Sequence, residues 1–125
     1  MGIKCAFVVL ALVATLAGQA AGQAARNETD DEFMCVTGAE IDESPAKMLA
    51  ACNRAIAARR RDRSLARYLQ GRAEVYFDLG NYAASIRDFD DAISLVEPGP
   101  YKDLLIRYRQ GPVKCLSNPQ PCKRR

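Results

Sequence analysis

Residues 65–98 read LARYLQGRAEVYFDLGNYAASIRDFDDAISLVEP, and the apolar spacing in this stretch decides the fold. Leu65, Leu69, Ala73 and Tyr76 recur in steps of three or four, as do Tyr82, Ile86, Phe89, Ile93 and Val96. That period places each set on one face of an α-helix. Gly80 suits a helix end, where the backbone often turns to positive φ, and Asn81 suits capping of the next helix's free N–H groups. Pro98 stops the second helix because proline cannot continue one. The expected unit is two amphipathic helices folded back on each other at Gly80-Asn81.

This unit resembles a tetratricopeptide repeat. Ala73 and Ala92 are small where that family brings its two helices close together, and Tyr76, Gly80, Tyr82, Ile86, Phe89, Leu95 and Pro98 follow its pattern. The departures are Leu69 for the preferred Trp, Ser85 for the preferred Ala, and a proline one residue late. The resemblance implies an all-α fold, a short solenoid of helical hairpins with one full repeat flanked by partial repeats.

Upstream, Ser44-Pro45 has the chemistry of a helix start. Met48, Leu49, Cys52, Ala55 and Ile56 then form a stripe expected to be buried. Ala55-Ile56 recurs as Ala92-Ile93 at a spacing of 37 residues, a period that marks helical solenoids. The segment therefore reads as the second helix of a preceding, degenerate repeat. Downstream, Tyr101, Leu104, Leu105 and Tyr108 predict the first helix of a third repeat, covering the open end of the central pair and ending at Gly111-Pro112.

The chain has 125 residues, enough for one domain. Met1 to Lys4 is a short basic start, and Cys5 to Ala17 is an apolar run followed by small residues, the signature of a secretory signal peptide over 1–25. The run is short of the roughly 20 apolar residues that a membrane span needs. Residues 26–43 are acidic and expected to be a mostly irregular arm, 44–110 the helical domain, and 111–125 a Cys- and Pro-containing tail. Asn27-Glu28-Thr29 fits a glycosylation acceptor, although such tripeptides also arise by chance.

Four cysteines follow the leader: Cys35, Cys52, Cys115 and Cys122. An even number in a small exported chain points to disulfides, and three pairings are open. The resemblance to small exported bacterial tetratricopeptide-like proteins implies Cys35–Cys52, because they pair an upstream cysteine with one in a helix like Ala51-Cys-Asn-Arg-Ala-Ile56. Cys115–Cys122 would then close the tail. The competing account of Cys52 is a free buried thiol packed as an apolar residue.

There is no histidine, no Cys-x-x-Cys pair and no glycine-rich phosphate loop, so neither a catalytic triad, a zinc site nor a nucleotide cradle is expected. Asp88 and Asp91 beside Arg87 read as a solvated helix face rather than a catalytic pair. The chain is read as a non-enzyme without a cofactor, exported to a periplasm or secreted. Without the leader the balance is 17 basic to 15 acidic side chains, too even for a dedicated nucleic-acid binder. What the resemblance implies is a concave groove lined by first helices, here Arg67, Gln70, Glu74 and Phe77, then Lys102, Leu105 and Arg109. Its three cations suit an acidic or carboxylate-bearing peptide or protein partner. The alternatives are self-association through the open end of the last helix, or an anionic lipid or other anion held by Arg59–Arg63.

Overall fold

The computed structural model describes residues 30–58, 63–118 and 122, the side chain of Arg63 excepted. The leader, the glycosylation tripeptide, residues 59–62 of the arginine run and the basic cluster Lys123–Arg125 lie outside the described residues. Within them the chain is all-helical. Helix α1 covers 30–37, and α2 (Pro45–Ala58), α3 (Arg63–Asp78), α4 (Tyr82–Leu95) and α5 (Pro100–Ser117) follow.

The turn at Gly80-Asn81 forms as its residue chemistry dictates. Gly80 sits at φ +76°, a conformation that side chains with a Cβ resist, and the Asn81 side chain accepts a hydrogen bond from the Ala84 N–H at 3.3 Å. Ser44 accepts similarly from the Lys47 N–H at 3.4 Å, one residue ahead of Pro45 in the first turn of α2. Between α3 and α4 the core holds Ala66, Leu69, Ala73, Phe89 and Ala92, closed by Leu105 of α5. Ser85 is fully buried there, and its hydroxyl donates to the Ala73 carbonyl at 2.7 Å, stitching the two helices where a larger residue would hold them apart.

The pairings fix the direction of every helix. Asp31–Arg54, Cys35–Cys52 and the approach of Gly38 to Met48 run antiparallel, making α1 and α2 a hairpin. Arg72–Asp88 and Ser85–Ala73 do the same for α3 and α4, and Asp90–Arg109 and Val96–Lys102 for α4 and α5. Helices α2 and α3 are likewise antiparallel, Asn53 meeting Arg72 while Ile56 shares a cleft with Leu65, so alternate helices α1, α3 and α5 run parallel, with Cys35 against Gly71, Gln70 against Tyr101 and Phe77 near Gly111. These three helices make one layer, with α2 and α4 behind it.

Three sequence expectations are corrected. The arm over 26–43 is not mostly irregular: 30–37 is helical, with Cys35 buried and Val36 packed against α2 and α3. Tertiary burial stabilises what is too short to show a clear period, and Asp30, Asp31 and Glu32 suit the positive end of a helix dipole. Helix α5 does not end at Gly111-Pro112; it runs to Ser117 with Pro112 fully buried inside it. Burial of the ring and of Cys115 against the bundle offsets the backbone bond that proline forfeits. Asp88 is not solvated. It is 5% exposed and accepts two hydrogen bonds from Arg72, at 2.7 and 2.8 Å.

Both expected disulfides are present, Cys35–Cys52 and Cys115–Cys122. The first sits under a backbone crossing. A Cβ added at Gly71 would fall inside van der Waals contact of the Cys35 carbonyl oxygen and 3.1 Å from its Sγ. Gly71→Ala is therefore expected to push α1 off α3 and lower stability by about 1–3 kcal/mol. Chemical denaturation of the two chains measures it, and equal midpoints would contradict the close approach.

The α1–α2 hairpin also carries an acid-sensitive tie. A hydrogen bond from Arg54 holds the Asp31 carboxyl below its usual range, with the nearby guanidinium charge acting in the same sense. A lowered folded pKa contributes stability above the unfolded value near 3.8, and that contribution disappears as pH falls through the lower folded value. The Arg54 side chain is 61% exposed and solvent screens the pair, so the effect is small. Wild type and Arg54→Ala should differ in melting temperature at neutral pH and converge as pH falls through the lowered folded value of Asp31.

Candidate functional site

The layer of α1, α3 and α5 leaves a seam on either side of α3, and each seam holds a pocket. The α3/α5 pocket, about 240 Å³, is lined by Glu74 and Phe77 of α3, Phe89 at its floor, and Arg107, Tyr108, Gly111 and Pro112 of α5. The α1/α3 pocket, also about 240 Å³, is lined by Glu32, Phe33, Val36 and Thr37 of α1 and by Ser64, Arg67 and Tyr68 of α3. At 100° per residue, the α3 side chains that line these two pockets share one side of the helix. Leu65, Leu69 and Arg72 point roughly the other way, into a larger cleft beside α4.

Four of the seven expected groove residues face this surface. Arg67 and Phe77 each line a pocket, and Phe77 also packs on Tyr82 with ring centroids 5.7 Å apart. Gln70 donates from its amide nitrogen to Glu74 at 3.0 Å and accepts from the Tyr101 hydroxyl at 3.0 Å, which ties α3 to α5. Burial pushes the Tyr101 phenol above its ordinary value; the Arg67 charge opposes that rise and Glu74 adds to it.

The other three do not line the groove. Leu105 is 0% exposed and belongs to the core. Lys102 donates to the Val96 carbonyl at 3.1 Å, capping the end of α4, and Arg109 is engaged by Asp90, with the second of its two hydrogen bonds at 3.1 Å. All three turn toward α4. A one-residue change of register rotates a helix face by about 100°, and the residues of α5 that meet α3 are Tyr101, Tyr108 and Gly111. Tyr108, one of the four residues whose spacing predicts α5, is 43% exposed at the pocket mouth.

Sequence reasoning missed Phe33, Val36, Arg107 and Gly111. The signal for the first two was the three-residue step from Phe33 to Val36 within the acidic segment. The charge of the surface is also reset. Arg54, Arg72 and Arg109 are ion-paired, whereas Arg67 and Arg107, one in each pocket, form no ion pair among the described residues. The outward side of α5 exposes Asp103, Gln110 and Lys114 beside Ile106.

Among the described residues no group of three or more His, Cys, Asp or Glu is placed to hold a metal ion, and no helix is long and apolar enough to cross a membrane. Two disulfides belong to chains that mature in an oxidising compartment. Comparisons with protein-family models, with curated proteins and with solved structures gave no match.

Proposed function

We propose that the chain is a small exported module of the tetratricopeptide-like kind that binds a peptide or protein partner on the face of α1, α3 and α5. The observation that carries this reading is the pair of open pockets flanking α3 on one face, each with an aromatic side chain at its mouth. Parallel alternate helices, with α2 and α4 as the second layer, support the repeat reading. The leader-like run over 1–25 and the disulfides support export. Exposed apolar surface gathered at one concavity is a usual mark of a protein-binding site. No arrangement of nucleophile, base and orienting group accompanies these pockets among the described residues, so the reading is binding and not catalysis.

The test is capture by cross-linking from an envelope extract with the oxidised mature chain, set beside a Tyr108→Ala/Arg67→Glu chain of equal melting temperature. A partner retained by the first and lost by the second supports the site. A partner held equally by both places binding elsewhere and overturns it.

A further inference from the structure

Resting on that reading, we infer that the face is a two-socket site for an extended acidic segment. It seats two bulky apolar side chains four or six residues apart, each with a carboxylate beside it. The sockets match each other in their parts. Each has a volume of about 240 Å³, an exposed aromatic ring (Phe33 at 56%, Tyr108 at 43%) and one guanidinium without an acidic partner among the described residues, Arg67 or Arg107. The acids nearby are already engaged: Glu74 accepts from Gln70, and Glu32 and Asp78 have interactions of their own within the chain. The Gln70 amide is neutral, so with Glu32 and Asp78 engaged, Arg67 and Arg107 stand in the groove against the one remaining carboxylate of Glu74, a positive excess, and a carboxylate is the group that satisfies a guanidinium's fork of donors.

The spacing follows from the helix. Along α3 the centre of Ser64, Arg67 and Tyr68 lies about nine residues from that of Glu74 and Phe77, or about 14 Å at 1.5 Å per residue. The sockets lie in adjacent seams, which adds a sideways step of about one interhelix distance, 8–10 Å, for a total of about 17 Å. An extended chain rises about 3.3 Å per residue and alternates its faces, so only even separations present both anchors to the same surface. Four and six residues bracket the distance, and five fails on parity.

The experiment uses the oxidised full mature chain and fluorescein-labelled synthetic peptides built from two Phe-Ser-Asp units, which keep each carboxylate on the same face as its Phe, with Phe at i and i+4, i+5 or i+6 and Ser elsewhere, together with single-Phe controls. Fluorescence polarisation should show one of the even spacings binding at least tenfold tighter than i+5 or any single-Phe peptide, because the second anchor binds intramolecularly. Arg67→Glu and Arg107→Glu, both at exposed positions, should each weaken the Asp peptides at least fivefold and leave Asn versions unchanged. Equal affinity for odd and even spacing, insensitivity to both arginine changes, or no binding by any peptide overturns the two-socket inference. Should the peptides fail while Tyr108→Ala/Arg67→Glu still loses its captured partner, the binding face stands and only this account of its ligand falls.

Discussion

Reduction of the Cys35–Cys52 disulfide should lower the melting temperature by about 12–24 °C. The bond spans 17 residues, and closing a loop of that length removes about 3 kcal/mol of chain entropy from the unfolded state. For a domain of about 100 residues each kcal/mol moves the midpoint by about 4–8 °C. The effect is not confined to the unfolded chain. Both sulfurs are buried, and Cys35 lies against α3 at Gly71, so the bond also keeps α1 in the layer that forms the binding face. A Cys35→Ala/Cys52→Ala chain removes the bond, and both contributions with it, without adding buried polar atoms. The Cys115–Cys122 pair lies at and beyond the end of α5, so its removal undocks no helix and should shift the midpoint less. An unchanged melting curve, with four thiols titrated after reduction, would show that packing alone holds α1.

Asp88→Ala should lower stability by about 2–4 kcal/mol, close to the effect of the disulfide and far above that of an ordinary surface pair. The Arg72 guanidinium reaches three helices. It donates two hydrogen bonds to Asp88 on α4 and one to Asn53 on α2 at 2.9 Å, and it lies 5.9 Å from the centroid of the Tyr76 ring on its own helix. Removing the carboxylate leaves a largely buried cation with only a neutral acceptor, and that unmet desolvation is the origin of the loss. The side chain of Arg72 keeps 22% of its exposure, so water recovers part of it and holds the figure below that of a fully enclosed pair. Replacing both partners, Arg72→Met with Asp88→Leu, should restore more than half of the loss in urea unfolding. A double replacement as unstable as Asp88→Ala alone would mean that the salt bridge is not the source.

The residues that sequence reasoning placed well are those whose local chemistry dictates conformation. Gly80, Asn81, Ser44 and Pro45 mark turns and caps by their own backbone preferences, and Leu69, Ala73, Phe89 and Ala92 mark a core face by period alone. Periodicity says which residues share a face but not which neighbour that face meets. The family resemblance does not supply that neighbour either: it places Lys102 and Arg109 in the groove, whereas α5 turns them toward α4. Charged residues hide their partners most completely: Asp88 looks solvated until Arg72, sixteen residues away in sequence, folds across it. Pro112 misled for a different reason. The rule that proline ends helices is a local preference, and burial of its ring outweighs that preference.

Helices α2 to α5 make their main contacts with their neighbours in sequence, and among these four no extensive packing joins α2 to α5. A stack joined in this way is strongest in the middle and loosens from its ends. The two disulfides lie at the two ends, one tying α1 to α2 and the other closing on the last turn of α5. Amide hydrogen exchange in the oxidised chain should therefore protect α1 nearly as well as α2. After reduction α1 should fray as a separate unit while α3 and α4 stay slowest, and α5, whose disulfide closes only on its own tail, should change little. Oxidation thus couples the first helix to the cooperative unit that packing makes of the rest.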